Sequence, residues 1–531
     1  MTSYDAVVIG AGPNGLAAAN HLADAGWSVL VVEEQETVGG AVRSDRDVHP
    51  DYIHDTFSAF YPLAAASPAL RGLDLEQHGL TWRRAPAPLA HPFPDGSWAS
   101  IHPDREITAA RMDEQSAGDG DAWLRLCAQW DEVSEAFLTS LLTPFPPVRG
   151  AARLLRRLPA AGGVDFVKTL LSPVTDLADA HFRGRGPGIL LAGNAAHSDI
   201  PLDAPGSGLM GYLMSMLAQT VGFPVPQGGA GELTQTMARR LRSLGGTIVT
   251  GDRVDRIEVD EGRAHAVRTT SGQRFEGRRA VLADVVAPTL YERLLDPADV
   301  PDRVRDRLKA FQLDPGTVKV DWALRAPVPW QTPPPEPAGT VHVADSREQM
   351  SVALQQVHAG QLPAEPFLLC GQMTVADPDR SPAGTESMWA YTHVPQHQTG
   401  DAGDGSVTGE WGYDDKERFA DRMQARLEKL APGFGDRIVA RRVLGPRDLE
   451  ARDANLLGGA INGGTSQLSQ QLIFRPIPGL GRAETPVRGL YLSSASAHPG
   501  GGVHGAAGFN AARAAIAHDR LRGGALRRAL R

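Results

Sequence analysis

Cysteine is scarce in this sequence: Cys127 and Cys370 are the only two among 531 residues, and they lie far apart. Neither belongs to a Cys-x-x-Cys or Cys/His pattern, so we expect no disulfide framework and no metal site. No apolar run approaches the roughly 20 residues that span a bilayer, and a strand is predicted almost at the N-terminus without a basic leader. We therefore expect a cytoplasmic protein with at most a peripheral membrane contact.

Basic residues are not in excess either. The 53 lysines and arginines are outnumbered by 62 aspartates and glutamates, which gives a formal net charge of −9. Such a chain lacks the broad positive footprint of nucleic-acid binding, so no nucleic-acid partner is expected. The 42% hydrophobic and 22% charged residues are typical of a folded protein, and the length exceeds that of one hydrophobic core. Two domains are therefore predicted.

A glycine-rich turn near the N-terminus carries the clearest motif. A predicted buried strand, Tyr4–Ile9, is followed by G-A-G-P-N-G, a helix and a second strand that ends at Glu33. Gly10 allows the tight turn, Gly12 lets the backbone approach a diphosphate, and Gly15 allows close packing of helix and strand. A carboxylate at Glu33 can accept hydrogen bonds from ribose hydroxyls, so the segment predicts dinucleotide binding.

The residues after Glu33 distinguish the cofactor. Glu33 is followed at the spacing Glu-x5-Gly-Gly-x-x-Arg by Gly39, Gly40 and Arg43. This arrangement resembles the flavoprotein family of amine oxidases and phytoene desaturases. The resemblance implies FAD, with the two glycines close to the cofactor and Arg43 beside its diphosphate. An arginine exposed after a Gly-Gly turn is the alternative.

The C-terminal segment S-A-S-A-H-P-G-G-G-V-H-G resembles the third flavin-binding motif of the bacterial-type phytoene desaturase branch. The resemblance implies contacts to the flavin end from Ser496, Gly501, Gly502 and Val503, with a helix beginning near Val503 to Gly505. Residues 376–395 are similar to the subgroup that contains pyridine nucleotide-disulfide oxidoreductase domain-containing protein 2. In the middle of the chain, Val254 resembles the valine whose backbone contacts adenine in this family, although a plain strand valine is also compatible.

The order of the motifs predicts an α/β fold with a discontinuous Rossmann-like FAD-binding domain, residues 1–70, 225–290 and 485–525. The intervening residues 71–224 and 291–484 are expected to form a mixed α+β domain that carries substrate and caps the cofactor. The middle piece contains a hairpin-like stretch, Val254–Phe275, and a strand, Arg279–Asp284. Helical stretches are predicted at Ala122–Leu142 and Gly150–Leu171.

Catalytic residues are harder to identify, because the cofactor carries flavin chemistry and the protein supplies orientation and electrostatics. His498 and His504 have the best positional argument, since the neighbouring glycines bring them near the flavin. Structural roles remain an alternative for both. The same alternative holds for the other candidates, which are His54, His197, His393 and Tyr391.

The sequence therefore predicts an enzyme that binds FAD non-covalently and contains no metal. The favoured reaction is a dehydrogenation or desaturation that removes hydride from a C–H bond of a mostly apolar small molecule, with oxygen, a quinone or a nicotinamide as electron acceptor. A saturase, an isomerase, an amine oxidase and a non-catalytic flavin-binding protein remain alternatives, and homo-oligomerisation is open. The basic run Val148–Leu158 could rest on an anionic membrane or pack its apolar face on the protein.

Overall fold

The computed structural model describes residues 2–529, and side chains within residues 3–521. The strands are, in chain order, β1 (Thr2–Ile9), β2 (Val29–Val32), β3 (Ser44–Asp45), β4 (His54–Asp55), β5 (Trp82–Arg83), β6 (Ala87–Pro92), β7 (Trp98–Ile101), β8 (Val225–Pro226), β9 (Thr247–Val249), β10 (Val254–Asp260), β11 (Arg263–Thr269), β12 (Arg274–Ala283), β13 (Gly316–Leu324), β14 (Ala338–Val343), β15 (Gln361–Leu362), β16 (Leu368–Gln372), β17 (Glu386–Val394), β18 (Gly400–Asp401), β19 (Ile438–Leu444) and β20 (Leu490–Leu492).

The α-helices are α1 (Pro13–Asp24), α2 (Pro62–Ala66), α3 (Pro68–Arg71), α4 (Arg105–Gln115), α5 (Asp119–Leu142), α6 (Val148–Arg157), α7 (Val164–Leu171), α8 (Val174–His181), α9 (Arg185–Ala195), α10 (Ser207–Thr220), α11 (Gly231–Ser243), α12 (Asp302–Leu308), α13 (Arg347–His358), α14 (Met373–Ala376), α15 (Tyr413–Leu430), α16 (Pro446–Arg452) and α17 (Ala506–Ala529). Among the described residues, no helix is both long and apolar enough to cross a bilayer.

The first large sheet is a Rossmann-like sheet. Its parallel part has the order β9, β2, β1, β12, β20, and the hairpin β10–β11 adds antiparallel strands beside β12. Ala6 and Val8 of β1 pack on the core beneath α1, α11 and α17, whereas Val7 and Ile9 pack on the opposite core. Both faces are thus covered, which is why these strands are continuous apolar runs in the sequence.

The turn between β1 and α1 depends on glycine at two positions. Gly10 has φ +92°, in the left-handed region that favours glycine. A Cβ on Gly15 would stand 2.2 Å from the Gly10 carbonyl oxygen, so no side chain fits there. Pro13 begins α1 in the first turn, where the missing N–H costs nothing. The glycine turn is therefore held in one shape above the end of β1.

The second large sheet has the order β19, β13, β17, β16, β14, β6, β7. Val318, Val320 and Trp322 of β13 pack on the core that includes Phe419 and Met423 of α15. Helices α5, α9 and α10 contribute to a separate apolar core, which contains Trp123, Ile189 and Tyr212 and receives Leu89 and Leu369 from the sheet. This sheet and its helices form the mixed α+β part of the fold.

The observed elements correct three sequence-based boundaries. The helical stretch predicted at Gly150–Leu171 is two helices, α6 and α7, because Pro159 and the left-handed Gly162 and Gly163 interrupt it. The strand predicted at Arg279–Asp284 begins earlier, in β12, and the last helix begins at Ala506. The strands of the Rossmann-like sheet come from residues 2–32, 247–283 and 490–492, whereas the domain boundaries themselves stay predictions.

Candidate functional site

A groove runs across the carboxyl ends of the parallel strands of the first sheet. Its lining includes Glu33 after β2, Gly10 after β1, Asp284 after β12 and Ser494 after β20. Since these strands are neighbours in that order, Glu33 and Ser494 lie towards opposite ends of the groove. We call these the Glu33 end and the loop end, the latter lined by Ile461, Gly463, residues 494–496 and residues 500–503. A crevice at the carboxyl ends of parallel strands is where such folds bind ligands.

Glu33 shapes its end of the groove. One carboxylate oxygen accepts from the Ala11 backbone N–H at 2.7 Å, and the other accepts from the Gln35 N–H at 2.9 Å. The side chain is 7% exposed, and burial raises its pKa above the ordinary value. Each oxygen keeps a further lone pair for a hydroxyl donor. Val254, the residue predicted to meet adenine, lines the same groove.

Asp284 lies beneath the glycine turn, at the middle of the groove. Its Oδ2 accepts from the Gly15 backbone N–H at 2.8 Å, and the position of a Cβ on Gly12 would be 2.9 Å from the same oxygen. Burial raises the pKa of Asp284 to about 8, helped by the nearby Asp453 and Glu33 carboxylates. The carboxyl group is therefore mostly protonated at neutral pH and can donate a hydrogen bond to an anionic ligand.

The loop end is built mainly of backbone. Ser496 Oγ donates to the Gly463 carbonyl at 2.8 Å and accepts from the Ala287 N–H at 3.1 Å, which ties the loop to its neighbours. Gly501, Gly502 and Val503 also line the groove. None of the described residues lining this end is an acid, a histidine, a cysteine or a lysine. The loop end therefore offers shape and backbone dipoles.

Nine of the twelve residues predicted to bind the cofactor line this groove. They are Gly10, Gly12, Glu33, Gly40, Val254, Ser496, Gly501, Gly502 and Val503. Gly15, Gly39 and Arg43 lie outside the lining. Arg43 donates from Nε to the Gly40 carbonyl at 2.9 Å and from Nη2 to the Arg452 carbonyl at 2.5 Å, so it holds the groove wall. Direct contact of these residues with FAD stays a prediction.

His498 and His504 do not line the groove. His498 Nε2 lies 3.1 Å from the Thr143 carbonyl oxygen, and burial lowers its pKa. His504 Nδ1 accepts from the Ala506 backbone N–H at 3.0 Å, and burial lowers its pKa to about 4. His504 thereby caps the start of α17, whose first N–H is consequently not free to face a ligand. Both contacts are structural, and a catalytic role for either residue stays a prediction.

The remaining candidates belong to the second sheet and its surroundings. His54 Nε2 lies 3.1 Å from the Trp322 carbonyl oxygen, and His197 Nε2 lies 3.0 Å from His342 Nε2. His393 is buried on β17, next to Tyr391, with ring centroids 5.8 Å apart. None of these candidates is part of the groove lining.

Sequence analysis missed several residues of the site. Asp284 could have been found, because it is the last residue of a predicted strand, at the sheet edge where ligands bind. Asp453 and Asn455 also line the groove, and Asn455 donates from Nδ2 to the Asp284 carbonyl at 2.9 Å. Their loop comes from the second irregular block of the chain, where no local pattern indicated a contact with the glycine turn.

Comparisons with known proteins agree with this geometry. Residues 8–73 match the family model described as an NAD(P)-binding Rossmann-like domain. The chain is 28% identical to pyridine nucleotide-disulfide oxidoreductase domain-containing protein 2 of Mus musculus, covering 96% of this chain and 92% of the relative. It is 24% identical to a lycopene-forming phytoene desaturase of Pseudescherichia vulneris, covering 94% of this chain and 96% of the relative.

Solved structures share the fold. An oxidoreductase from Methanosarcina mazei superposes with a TM-score of 0.61 at 14% identity, covering 96% of this chain and 99% of the other. Wild-type putrescine oxidase bound to putrescine superposes with a TM-score of 0.57 at 18% identity, covering 97% and 98% of the two chains.

The fold and the groove are those of a dinucleotide-binding protein, and the relatives are oxidoreductases. The relatives are consistent with an enzyme and imply FAD as the cofactor. Over nearly its whole length the chain is similar to proteins of the FAD-dependent amine oxidase and desaturase superfamily.

Proposed function

We propose that this protein is an FAD-dependent dehydrogenase or desaturase of a mostly apolar small molecule. The reaction removes a hydride and a neighbouring proton from the substrate and leaves a double bond. When bound, FAD supplies the hydride acceptor, and an external acceptor such as oxygen, a quinone or a nicotinamide takes the electrons onward. The cofactor is held non-covalently, since both cysteines are buried outside the groove lining.

The residues of the groove fit FAD. Glu33 has free lone pairs for ribose hydroxyls, and the protonated Asp284 is a donor for a diphosphate oxygen. Asn14 lines the groove, and its buried Oδ1 has no hydrogen-bond partner among the described residues. Buried polar groups are usually satisfied, so a missing ligand explains this orphan. Gly12 and Gly40 line the groove with backbone alone, which allows a close approach of the diphosphate.

The composition of the loop end carries the proposal. Its lining offers no acid or base among the described residues, and the hydroxyls of Ser494 and Ser496 are both engaged in hydrogen bonds with backbone groups. The chemistry there therefore falls to the cofactor, which the backbone orients. An apolar substrate suits this arrangement, because a charged substrate would leave a buried charge without a partner. His498 and His504 support the loop from behind.

A protonated amine is a less suitable substrate. Trp389 and Tyr391 stack on each other along β17 with ring centroids 6.0 Å apart. The Lys319 ammonium lies 5.8 Å from the centroid of Trp389 and is paired with Asp321. Neither ring lines the groove, and the cation–π position on Trp389 is already taken by Lys319, so this pair does not provide an amine site at the cofactor.

We also propose that an anionic membrane surface supplies the substrate. Val148 and Leu155 of α6 are 70% and 68% exposed, and Val164 of α7 is 81% exposed, although Leu154 and Leu158 pack inward. Exposed basic side chains lie among them, namely Arg149, Arg153, Arg156, Arg157 and Lys168. We call residues 148–171 the apolar–basic surface. Apolar side chains mixed with cations are suited to a headgroup boundary that carries negative charge.

Anaerobic bleaching of the bound flavin tests the reaction. The purified protein is mixed by stopped flow with panels of alkenes, polyenes, amines and 2-hydroxy acids, and the flavin absorbance is followed. We expect rapid bleaching by an apolar alkene or polyene. Bleaching by amines alone would identify an amine oxidase, and reduction only by NADPH would identify a saturase. A flavin that never cycles, even after photoreduction and exposure to air, would favour a non-catalytic flavin-binding protein.

A further inference from the structure

A buried arginine lies directly behind the loop end of the groove. Arg475 is 2% exposed and donates only to backbone carbonyls. Nε and Nη2 donate to the Ala495 carbonyl at 2.9 and 2.7 Å, Nη2 donates to the Asn462 carbonyl at 2.8 Å, and Nη1 donates to the Thr465 carbonyl at 2.9 Å. Its guanidinium thus joins the loop after β20 to the loop of residues 462–465.

No carboxylate within 4.0 Å neutralises Arg475 among the described residues. Two acids act on the charge of Arg475 without a direct ion pair, and both accept hydrogen bonds from the same loop. Asp314 accepts from the Ile461, Asn462 and Gly464 N–H groups at 2.8, 2.9 and 3.2 Å, and Asp199 accepts from the Ser466 N–H at 2.6 Å. Burial lowers the pKa of Arg475 to about 10, so the side chain remains a cation at neutral pH. A buried charge without an ionic partner is costly.

The Arg475 cation lies directly behind residues that line the groove. A Cβ on Gly500 would stand 3.4 Å from the Arg475 guanidinium carbon, and Gly500 itself lines the groove. Ala495, which accepts two of the hydrogen bonds, also lines it. One layer of backbone therefore separates the positive charge from the loop end, opposite the Glu33 end that would hold the ribose.

We propose that Arg475 stabilises the negative charge that the flavin acquires on two-electron reduction. This inference rests on the proposed binding of FAD with its flavin at the loop end. The cation is fixed in place before the negative charge develops, so the protein does not have to reorganise around it. Because water is excluded, the attraction acts in a low dielectric and is stronger than it would be in water. Arg475 is then a residue that sets the electrostatic potential at the flavin, and the negative reduced flavin adds to the two aspartates that already act on its charge without a direct ion pair.

A purely structural role makes a different prediction. If Arg475 only clamps the loop, any variant that loosens the loop should disturb the flavin in the same direction. Asp314 accepts hydrogen bonds from the same loop but carries the opposite charge. Burial raises the pKa of Asp314 to about 6, so it is ionised at pH 7.5. Removing the negative charge of Asp314 should therefore raise the reduction potential of the flavin, whereas removing the positive charge of Arg475 should lower it.

The experiment measures the midpoint potential of the flavin in the holoenzyme at pH 7.5 by dye equilibration. At a fixed potential, Arg475→Gln should lower the ratio of reduced to oxidised flavin at least tenfold, which corresponds to about 30 mV for a two-electron couple. Arg475→Lys keeps the charge and should stay within about threefold of wild type, because less than 1 kcal/mol is lost. Asp314→Asn should raise the ratio.

The matched control is Arg307→Gln, since Arg307 donates to the Pro478 carbonyl at 2.7 Å from an exposed position. It should leave the ratio unchanged. The inference is overturned if Arg475→Gln and Asp314→Asn shift the ratio in the same direction, or if Arg475→Gln has no effect. Should Arg475→Gln not fold, an unchanged or lowered ratio in Asp314→Asn overturns it alone. Wild-type protein that carries no FAD, either in the supernatant or in the precipitate after denaturation, would instead refute the proposed function.

Discussion

The protonation state of Asp284 predicts how FAD binding depends on pH. The carboxyl group accepts from the Gly15 N–H and lies where the diphosphate is expected to cross the glycine turn. Burial raises its pKa to about 8. Below that pH the group is neutral and can donate to a phosphate oxygen. Above it, the free protein carries a carboxylate that repels the diphosphate.

The size of the effect follows from linkage. FAD binds the protonated form, so the apparent affinity is the affinity at low pH multiplied by the protonated fraction of the free protein. For a pKa of about 8, that fraction is roughly nine tenths at pH 7 and about one tenth at pH 9. The dissociation constant of FAD should therefore rise about tenfold between these values.

Asp284→Asn removes the titration and keeps the geometry. The amide oxygen can still accept from the Gly15 N–H, and the amide nitrogen can still donate to a phosphate oxygen. Titration of the apoprotein with FAD at pH 7, 8 and 9, followed by flavin fluorescence, measures both proteins. We expect a flat profile for Asp284→Asn. If the variant loses affinity at pH 9 as wild type does, another group titrates and the assignment is refuted.

A neighbouring variant provides a second check on this reasoning. The Asp453 carboxylate raises the pKa of Asp284 by repulsion. Asp453→Asn should therefore lower that pKa, so that the loss of affinity begins at a lower pH than in wild type. An onset at a higher pH would contradict the electrostatic explanation.

The remaining predictions concern the cofactor and the apolar–basic surface. Acid or heat denaturation should release yellow FAD, not FMN, into the supernatant, and colour that stays with the precipitate would contradict non-covalent binding. Glu33→Ala should lower FAD affinity at least tenfold, because hydrogen bonds to a charged acceptor contribute about 1.5–3 kcal/mol each; full occupancy after extensive dialysis would disprove the assignment. Leu155→Asp should reduce co-sedimentation with anionic vesicles severalfold. The control Val352→Asp, at an exposed apolar residue outside this surface, should not, and equal loss in both would reject the surface.

The elements around the Glu33 end of the groove could be predicted from local sequence. The glycine turn, α1 and Glu33 lie within 24 consecutive residues, and their roles follow from backbone conformation and period, which are local properties. The β10–β11 hairpin and the last helix were predicted for the same reason. Even there, α17 begins at Ala506, later than predicted, because Val503 and Gly505 have φ +54° and +66° and so lie outside the right-handed helical conformation.

The positions of Asp284 and Arg475 could not be predicted in this way, because they depend on contacts between residues that are distant in the sequence. The hydrogen bond from Gly15 to Asp284 joins positions 269 residues apart, and Arg475 binds carbonyls from two separate loops. Neither the burial of Arg475 nor its lack of a carboxylate partner has a signature in the segment F-R-P-I-P-G-L. Sequence reasoning instead favoured His498 and His504, since they are close to the glycines in the chain, and closeness in sequence did not bring their rings to the groove lining.

The charged residues around the groove are expected to act on two different quantities, the affinity for FAD and the midpoint potential of the flavin. Glu33 and Asp284 lie where the parts of FAD that do not change on reduction are expected, whereas Arg475 lies behind the loop end. The midpoint potential of a bound flavin reflects the ratio of its affinities in the two oxidation states. Glu33→Gln should therefore weaken binding of oxidised and reduced FAD equally and leave the midpoint potential at the wild-type value. Titration of affinity and potential in the same variant tests this separation. A shift of potential in Glu33→Gln as large as that in Arg475→Gln would mean that the two ends of the groove act on the flavin together.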